Sequence, residues 1–245
     1  MDWAAVEAPA ILFLATVIRS AFGFGEALIA VPLLALVLPV EVAAPVAVLL
    51  SITVAAVIVA QDWREIHIGS AAWLVLSTLF GIPFGLYILK SVPEVVVKIV
   101  LAVVIAAFST YSLASRRPWD LKNDRLAWLF GFAAGVLGGA YGMNGPPLVV
   151  YGTLRGWSPA NFRATLQGYF LPASLMGMAG YWMAGLWTAE VNHLYVISLP
   201  GALAAIFVGR MVNRRLDGRR FLVYVHAGLI GIGIVLIGQA VVGRH

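Results

Sequence analysis

Apolar residues along this chain come in runs separated by short charged, glycine or proline breaks. The first run reaches from about Pro9 to Phe22 and ends in Gly23-Phe24-Gly25-Glu26. A short run, Ala27 to Leu38, follows at once. Then come three long ones, Val42–Ala60, Gly69–Leu89 and Val95–Ala114. The polar stretch from Ser115 to Arg125 marks the middle. Beyond it the order recurs. Leu126–Tyr141 ends in Gly142-Met143-Asn144-Gly145, Pro146–Leu154 is short, and Phe162–Met183, Val191–Val208 and Phe221–Val241 are long. About 20 helical residues cross the hydrocarbon core of a bilayer, so each long run predicts a transmembrane helix. A run of about 12–14 residues rises only ~18–21 Å, short of that core. Each pair of short runs therefore predicts half-helices meeting near mid-membrane, or a steep re-entrant hairpin. Irregular backbone at that depth must be buried in protein or line a wet cavity.

A register of 119 residues lays Gly23 on Gly142, Phe22 on Tyr141, Val31 on Val150 and Trp63 on Trp182. The reading is an all-α polytopic membrane protein. Residues 1–114 form a first repeat, 115–125 a cytoplasmic linker and 126–245 a second repeat, all within one membrane domain. Lys and Arg collect in cytoplasmic loops. The linker holds Arg116, Arg117, Lys122 and Arg125, and the loop from Arg210 to Arg220 is also rich in arginine. Placing both inside puts Arg64 and the Arg155/Arg163 region inside too. Corresponding helices then run in opposite directions and both termini are extracytoplasmic. Inverted repeats of this kind are typical of secondary transporters.

Composition narrows the class. Of 245 residues, 62% are apolar and 11% charged, against about 25% charged in a soluble domain. There is no cysteine, so disulfides and thiolate chemistry are excluded. The four histidines are scattered, and no phosphate loop, His-Glu-x-x-His or intramembrane carboxylate pair is present. No enzyme activity and no cofactor are expected. The net charge of +5 is read as loop anchoring and not as nucleic-acid binding. The partners expected are a small anion and the lipid bilayer, with a homo-oligomer as one allowed state.

The two glycine breaks are the candidates for a site. A half-helix beginning after such a break presents unpaired N–H groups and the positive end of its dipole, and that arrangement binds anions. In the second break Asn144 reads as a cap, Gly145 as open backbone and Pro146 as a first helical residue. Arg19 and Glu26 are the ionisable residues deep in the first break region. Two roles stand open for them. They neutralise each other and fix the hairpin, or Arg19 attracts an anion while Glu26 takes a coupling proton or competes for Arg19. Their counterparts in the second half are Gly138 and Gly145. Ser51, Thr53, Thr165 and Gln167 supply hydroxyl and amide groups within spans. Ser158-Pro159 reads as a helix start.

The stretch from Gly23 to Pro32 resembles the first-repeat motif of the TauE/SafE family, also called the 4-toluene sulfonate uptake permeases or sulfite exporters. Gly138-Gly139-Ala140-Tyr141-Gly142-Met143-Asn144-Gly145-Pro146-Pro147-Leu148 resembles its second-repeat motif, and Arg163-Ala164-Thr165 the segment after it. The resemblance implies a bacterial inner-membrane carrier of organosulfur anions such as sulfite, sulfonates or sulfoacetate. Glu26 departs from the glycine-richer family motif and points to proton coupling or to a substrate with a donor group. The expectation is a secondary transporter working by alternating access. Its substrate-binding candidates are Arg19, Gly25, Glu26, Ser51, Tyr141, Asn144, Gly145 and Gln167, with Glu26 for proton coupling. A membrane scaffold or partner subunit, or a passive anion channel, are the alternatives.

Overall fold

The computed structural model describes residues 3–66, 68–114, 121, 124, 126–157 and 159–213, with 230, 231, 234, 237 and 238. Among these residues the protein is entirely helical. The order is α1 (Trp3–Phe22), α2 (Glu26–Leu34), α3 (Val40–Asp62), a 3₁₀ turn (Trp63–Glu65), α4 (Ile68–Ser91), α5 (Glu94–Ala114), α6 (Ala127–Tyr141), α7 (Gly145–Leu154), α8 (Pro159–Met183) and α9 (Ala189–Asn213). Val40–Gln61, Ile68–Ser91, Glu94–Tyr111 and Ala189–Met211 are each long and apolar enough to cross a membrane. Most of the expected last span, Phe221–Val241, the arginine-rich loop before it, most of the linker and the extreme ends of the chain lie outside the described residues.

The breaks fall where the apolar pattern put them. α1 ends at Phe22 before its break, and α8 starts at Pro159. One length differs. α1 has 20 residues, about 30 Å at 1.5 Å per residue, so it is long enough to span. The helix continues N-terminally through Pro9 to Trp3, so the proline that opens the apolar run sits in the second turn of the helix and not at its start. α2, α6 and α7, with 9, 15 and 10 residues, remain short of a span.

Packing exchanges helices between the halves. The most extensive contact is α4 on α6, followed by α1 on α9. Each pairs the first helix of one half with the fourth described helix of the other. Lipid tails are as apolar as leucine, so membrane helices associate through close van der Waals contact, which small residues permit. Gly81 and Gly85 of α4 lie against Gly135 and Gly139 of α6; a Cβ at Gly81 would come within 2.8 Å of the Val136 nitrogen, and one at Gly85 within 2.8 Å of the Gly139 Cα. Gly209 of α9 does the same beside Ser20 and Ala21 of α1. These contacts advance together along both helices, so α4 and α6 are parallel. At the centre, α3 crosses α8 in the opposite sense. Ser51 meets Ser174, and Ile66 beyond the end of α3 meets Gly168 near the start of α8. Trp73, Phe80, Phe84, Tyr87 and Trp182 face outward, a surface that suits lipid and not water.

The chain's two ends of the bundle are marked by polar contacts. At one, Asp124 of the linker accepts hydrogen bonds from Ser70 at the start of α4 (2.9 Å) and from Tyr151 on α7, and Arg155 approaches it to 3.3 Å. The Leu121 N–H also donates to the Leu154 carbonyl (2.7 Å). At the other, the Lys90 ammonium donates to the Ala184 carbonyl (2.8 Å). The linker and the Arg155 region therefore share one face, as the charge pattern required.

Candidate functional site

Both breaks are built on the same backbone device. Gly23 (φ 84°) follows α1 and donates its N–H to the Arg19 carbonyl. Gly142 (φ 66°) follows α6 and donates to Gly138 (2.9 Å), while Met143 donates to Leu137 (3.2 Å). This is the left-handed helix stop that glycine supplies without a Cβ clash. Gly23 and Gly142 are the pair that the 119-residue register superposes. Gly25 (φ 97°) then turns the chain into α2.

The two breaks close on one cavity. Its wall includes Arg19, Gly25, Glu26, Ser51, Asn144 and Gly145, with Phe24 and Phe170 as aromatic neighbours. The free space is about 20 Å³, room for roughly one water molecule. Ser51 stands midway along α3, which places the cavity near mid-height of the bundle.

Arg19 organises the site. It is 2% exposed, as is Glu26. Its Nη1 pairs with the Glu26 carboxylate and donates to Ser51 Oγ (2.8 Å). Its Nε and Nη2 both donate to Gln167 Oε1 (3.2 and 2.8 Å). Among the described residues the five guanidinium protons thus have four protein bonds, and one Nη2 proton has none. The Gln167 amide donates in turn to the Gly23 carbonyl, which ties α8 to the first break. Thr16 donates to Glu26 (3.0 Å), and Ser51 bonds Ser174 (3.1 Å). The Phe170 ring lies 5.1 Å from the guanidinium carbon, within the range of a cation–π contact. The arrangement is a neutral ion pair set in a network of hydrogen bonds. The anion that Arg19 holds in this structure is thus the Glu26 carboxylate itself.

Of the residues expected at the site, Arg19, Gly25, Glu26, Ser51, Asn144 and Gly145 line the cavity, and Gln167 stands behind Arg19. Tyr141 is buried in the core, apart from the cavity wall, and its hydroxyl has no hydrogen-bond partner among the described residues. Thr53 is elsewhere, bonded to Tyr195 (2.7 Å). Asn144 does not cap α7. A cap accepts from the N–H of the second or third helical residue, and here these are Pro146 and Pro147, which have none. The same prolines leave the α7 terminus few N–H groups, so the donors on the second break are fewer than its glycine pattern suggests. Thr16, Phe24, Phe170 and Ser174 were not singled out from the sequence. Gln167, Phe170 and Ser174 are spaced i, i+3, i+7 on one face of α8, which was the available signal. Among the described residues no group of acidic or histidine side chains is arranged to hold a metal ion.

A family model described as "Sulfite exporter TauE/SafE" matches residues 8–236. No curated protein and no solved structure matches the chain.

Proposed function

The chain belongs to the TauE/SafE sulfite exporter family of membrane transporters, and from that premise we propose that it carries a small organosulfur or related organic anion by alternating access. The observation that carries this reading is the cavity shared by the two breaks, with a buried arginine in its wall. A charged side chain this deep in a membrane protein is costly and marks a substrate or ion path. The anion takes the position of the Glu26 carboxylate on Arg19, helped by Ser51 and by the N–H groups at Gly25–Ala27. Protonation of Glu26 removes its competition for Arg19, so one proton enters with one negative charge. The near-absence of free space describes an occluded state, and opening toward either face requires the two halves to rock. The antiparallel α3 and α8 and the exchanged α1–α9 and α6–α4 pairs support an inverted repeat as the basis of that motion. With the linker face cytoplasmic, as the basic residues require, the protein is an inner-membrane carrier with both termini outside.

Saturable uptake of a sulfonate or of sulfite into proteoliposomes, driven by a pH gradient, tests this reading. Arg19→Ala should reduce uptake at least about a hundredfold, in line with loss of a buried charge partner worth several kcal/mol. Uptake with unchanged affinity overturns the site. Glu26→Gln should transport without response to the pH gradient. A packed, non-transporting scaffold is the second reading, favoured by the complete pairing of Glu26 with Arg19 and Thr16. It predicts no saturable flux. A passive channel predicts flux without counterflow.

A further inference from the structure

Asn144 is 7% exposed and lines the cavity. Its amide orientation follows from a chain of hydrogen bonds that leaves the cavity behind. Thr78 Oγ1 contacts the Gly131 carbonyl at 2.8 Å. A carbonyl only accepts, so the single Thr78 proton lies in that bond. Tyr169 Oη lies against Thr78 Oγ1 at 2.5 Å, and with the Thr78 proton spent, the Tyr169 proton must be given to Thr78. The Tyr169 oxygen can then only accept from Asn144, which approaches it at 3.4 Å. The Asn144 NH₂ therefore faces Tyr169, and Oδ1 faces away from it. Among the described residues Oδ1 has no hydrogen-bond partner, and the residue that carries it lines the cavity. The double proline after it removes the helix N–H groups it would otherwise accept.

From this polarity we propose that Asn144 determines specificity. Its carbonyl selects anions that carry a hydrogen-bond donor beside the charged group, a hydroxyl-bearing sulfonate or carboxylate in place of the unsubstituted one. The inference rests on the transport reading above. Arg19 takes the charge, and Asn144 Oδ1 takes the hydroxyl proton. An analogue without the donor leaves a buried carbonyl unpaired, and sites built to bond a hydroxyl reject such analogues strongly. Preference for the donor-bearing anion should be at least about tenfold.

The test is paired uptake and counterflow in proteoliposomes, with 2-hydroxyethanesulfonate against ethanesulfonate and glycolate against acetate. The native protein should favour the hydroxyl member of a pair at least about tenfold in kcat/KM. Asn144→Ala should bring that ratio near unity, whatever the absolute rates. Tyr169→Phe, which lies outside the cavity wall, removes the acceptor that orients the amide and should lower the same ratio. It keeps the inference testable where Asn144→Ala does not fold. Equal use of both members, or a ratio unchanged in both variants, overturns the role of Asn144. If uptake then still requires Arg19, the transport reading stands. No saturable uptake of any of the four anions overturns both.

Discussion

A buried arginine beside a buried glutamate serves as a strut or as a site, and the chemistry of Arg19 separates the two. Taking away one partner of a buried pair leaves an uncompensated charge and costs about 3–5 kcal/mol, whereas replacing both by apolar residues is often neutral. Arg19→Ala should therefore lower the thermal unfolding midpoint in detergent, because Glu26 keeps only Thr16. Arg19→Met with Glu26→Leu should regain that midpoint while remaining inactive in uptake. A double variant that transports normally makes the pair a strut. At this scale much of the site was legible. A charge inside an apolar run has to be explained, so Arg19 and Glu26 stood out, and Ser51 and Gln167 were among the few polar groups in spans. Phe170 and Thr16 were not legible. Aromatic and hydroxyl residues are ordinary in membrane helices, and only the fold brings these two against Arg19 and Glu26.

Elements set what the residues can do. The α4–α6 seam has no room for a side chain at Gly85, where a Cβ would lie 2.6 Å from the Ala140 nitrogen. Gly85→Ala should force the helices apart and lower thermal stability by about 1–3 kcal/mol. Gly177→Ala on α8 meets nothing within 4 Å and should be neutral or stabilising by up to ~1 kcal/mol. α7 links two places in the bundle, with Gly145 at the cavity and Tyr151 and Arg155 at the linker end, where Asp124 holds them. Asp124→Ala should release that end of α7. Labelling of a cysteine at position 145 from the linker side should then rise several-fold; unchanged labelling means the contact does not restrain α7. The breaks were visible in the glycine pattern because a positive φ needs glycine. The length of α1 was not, because a proline near a helix start reads from sequence as the start itself.

For the whole molecule, the exchanged pairing of first and fourth helices makes each half dependent on the other. Alternating access then predicts that the cavity opens to one face at a time. The chain has no cysteine, so Gly145→Cys gives a single label site, and a Cβ there meets nothing within 4 Å. Gly25 is unsuitable, because its φ of 97° strains any side chain. The cysteine at 145 should react with a membrane-impermeant maleimide from one face of oriented vesicles and be protected by substrate. Reaction from both faces at once favours a channel, and reaction from neither favours a packed scaffold.

The sequence by itself determined the membrane class, the positions of both breaks, the shared face of the linker and Arg155 and the presence of a buried charge pair. These follow from local composition: bilayer thickness sets run lengths, and charge is expelled from runs unless something holds it. Only the tertiary structure decided that the breaks share one cavity and that Gln167 meets Arg19, and Ser174 meets Ser51, across the halves. It also decided that Asn144 lines that cavity with its amide NH₂ turned to Tyr169. Those contacts join residues more than a hundred positions apart, or depend on the direction of a single proton. Both are properties of packed helices, to which hydrophobic periodicity along the chain is blind.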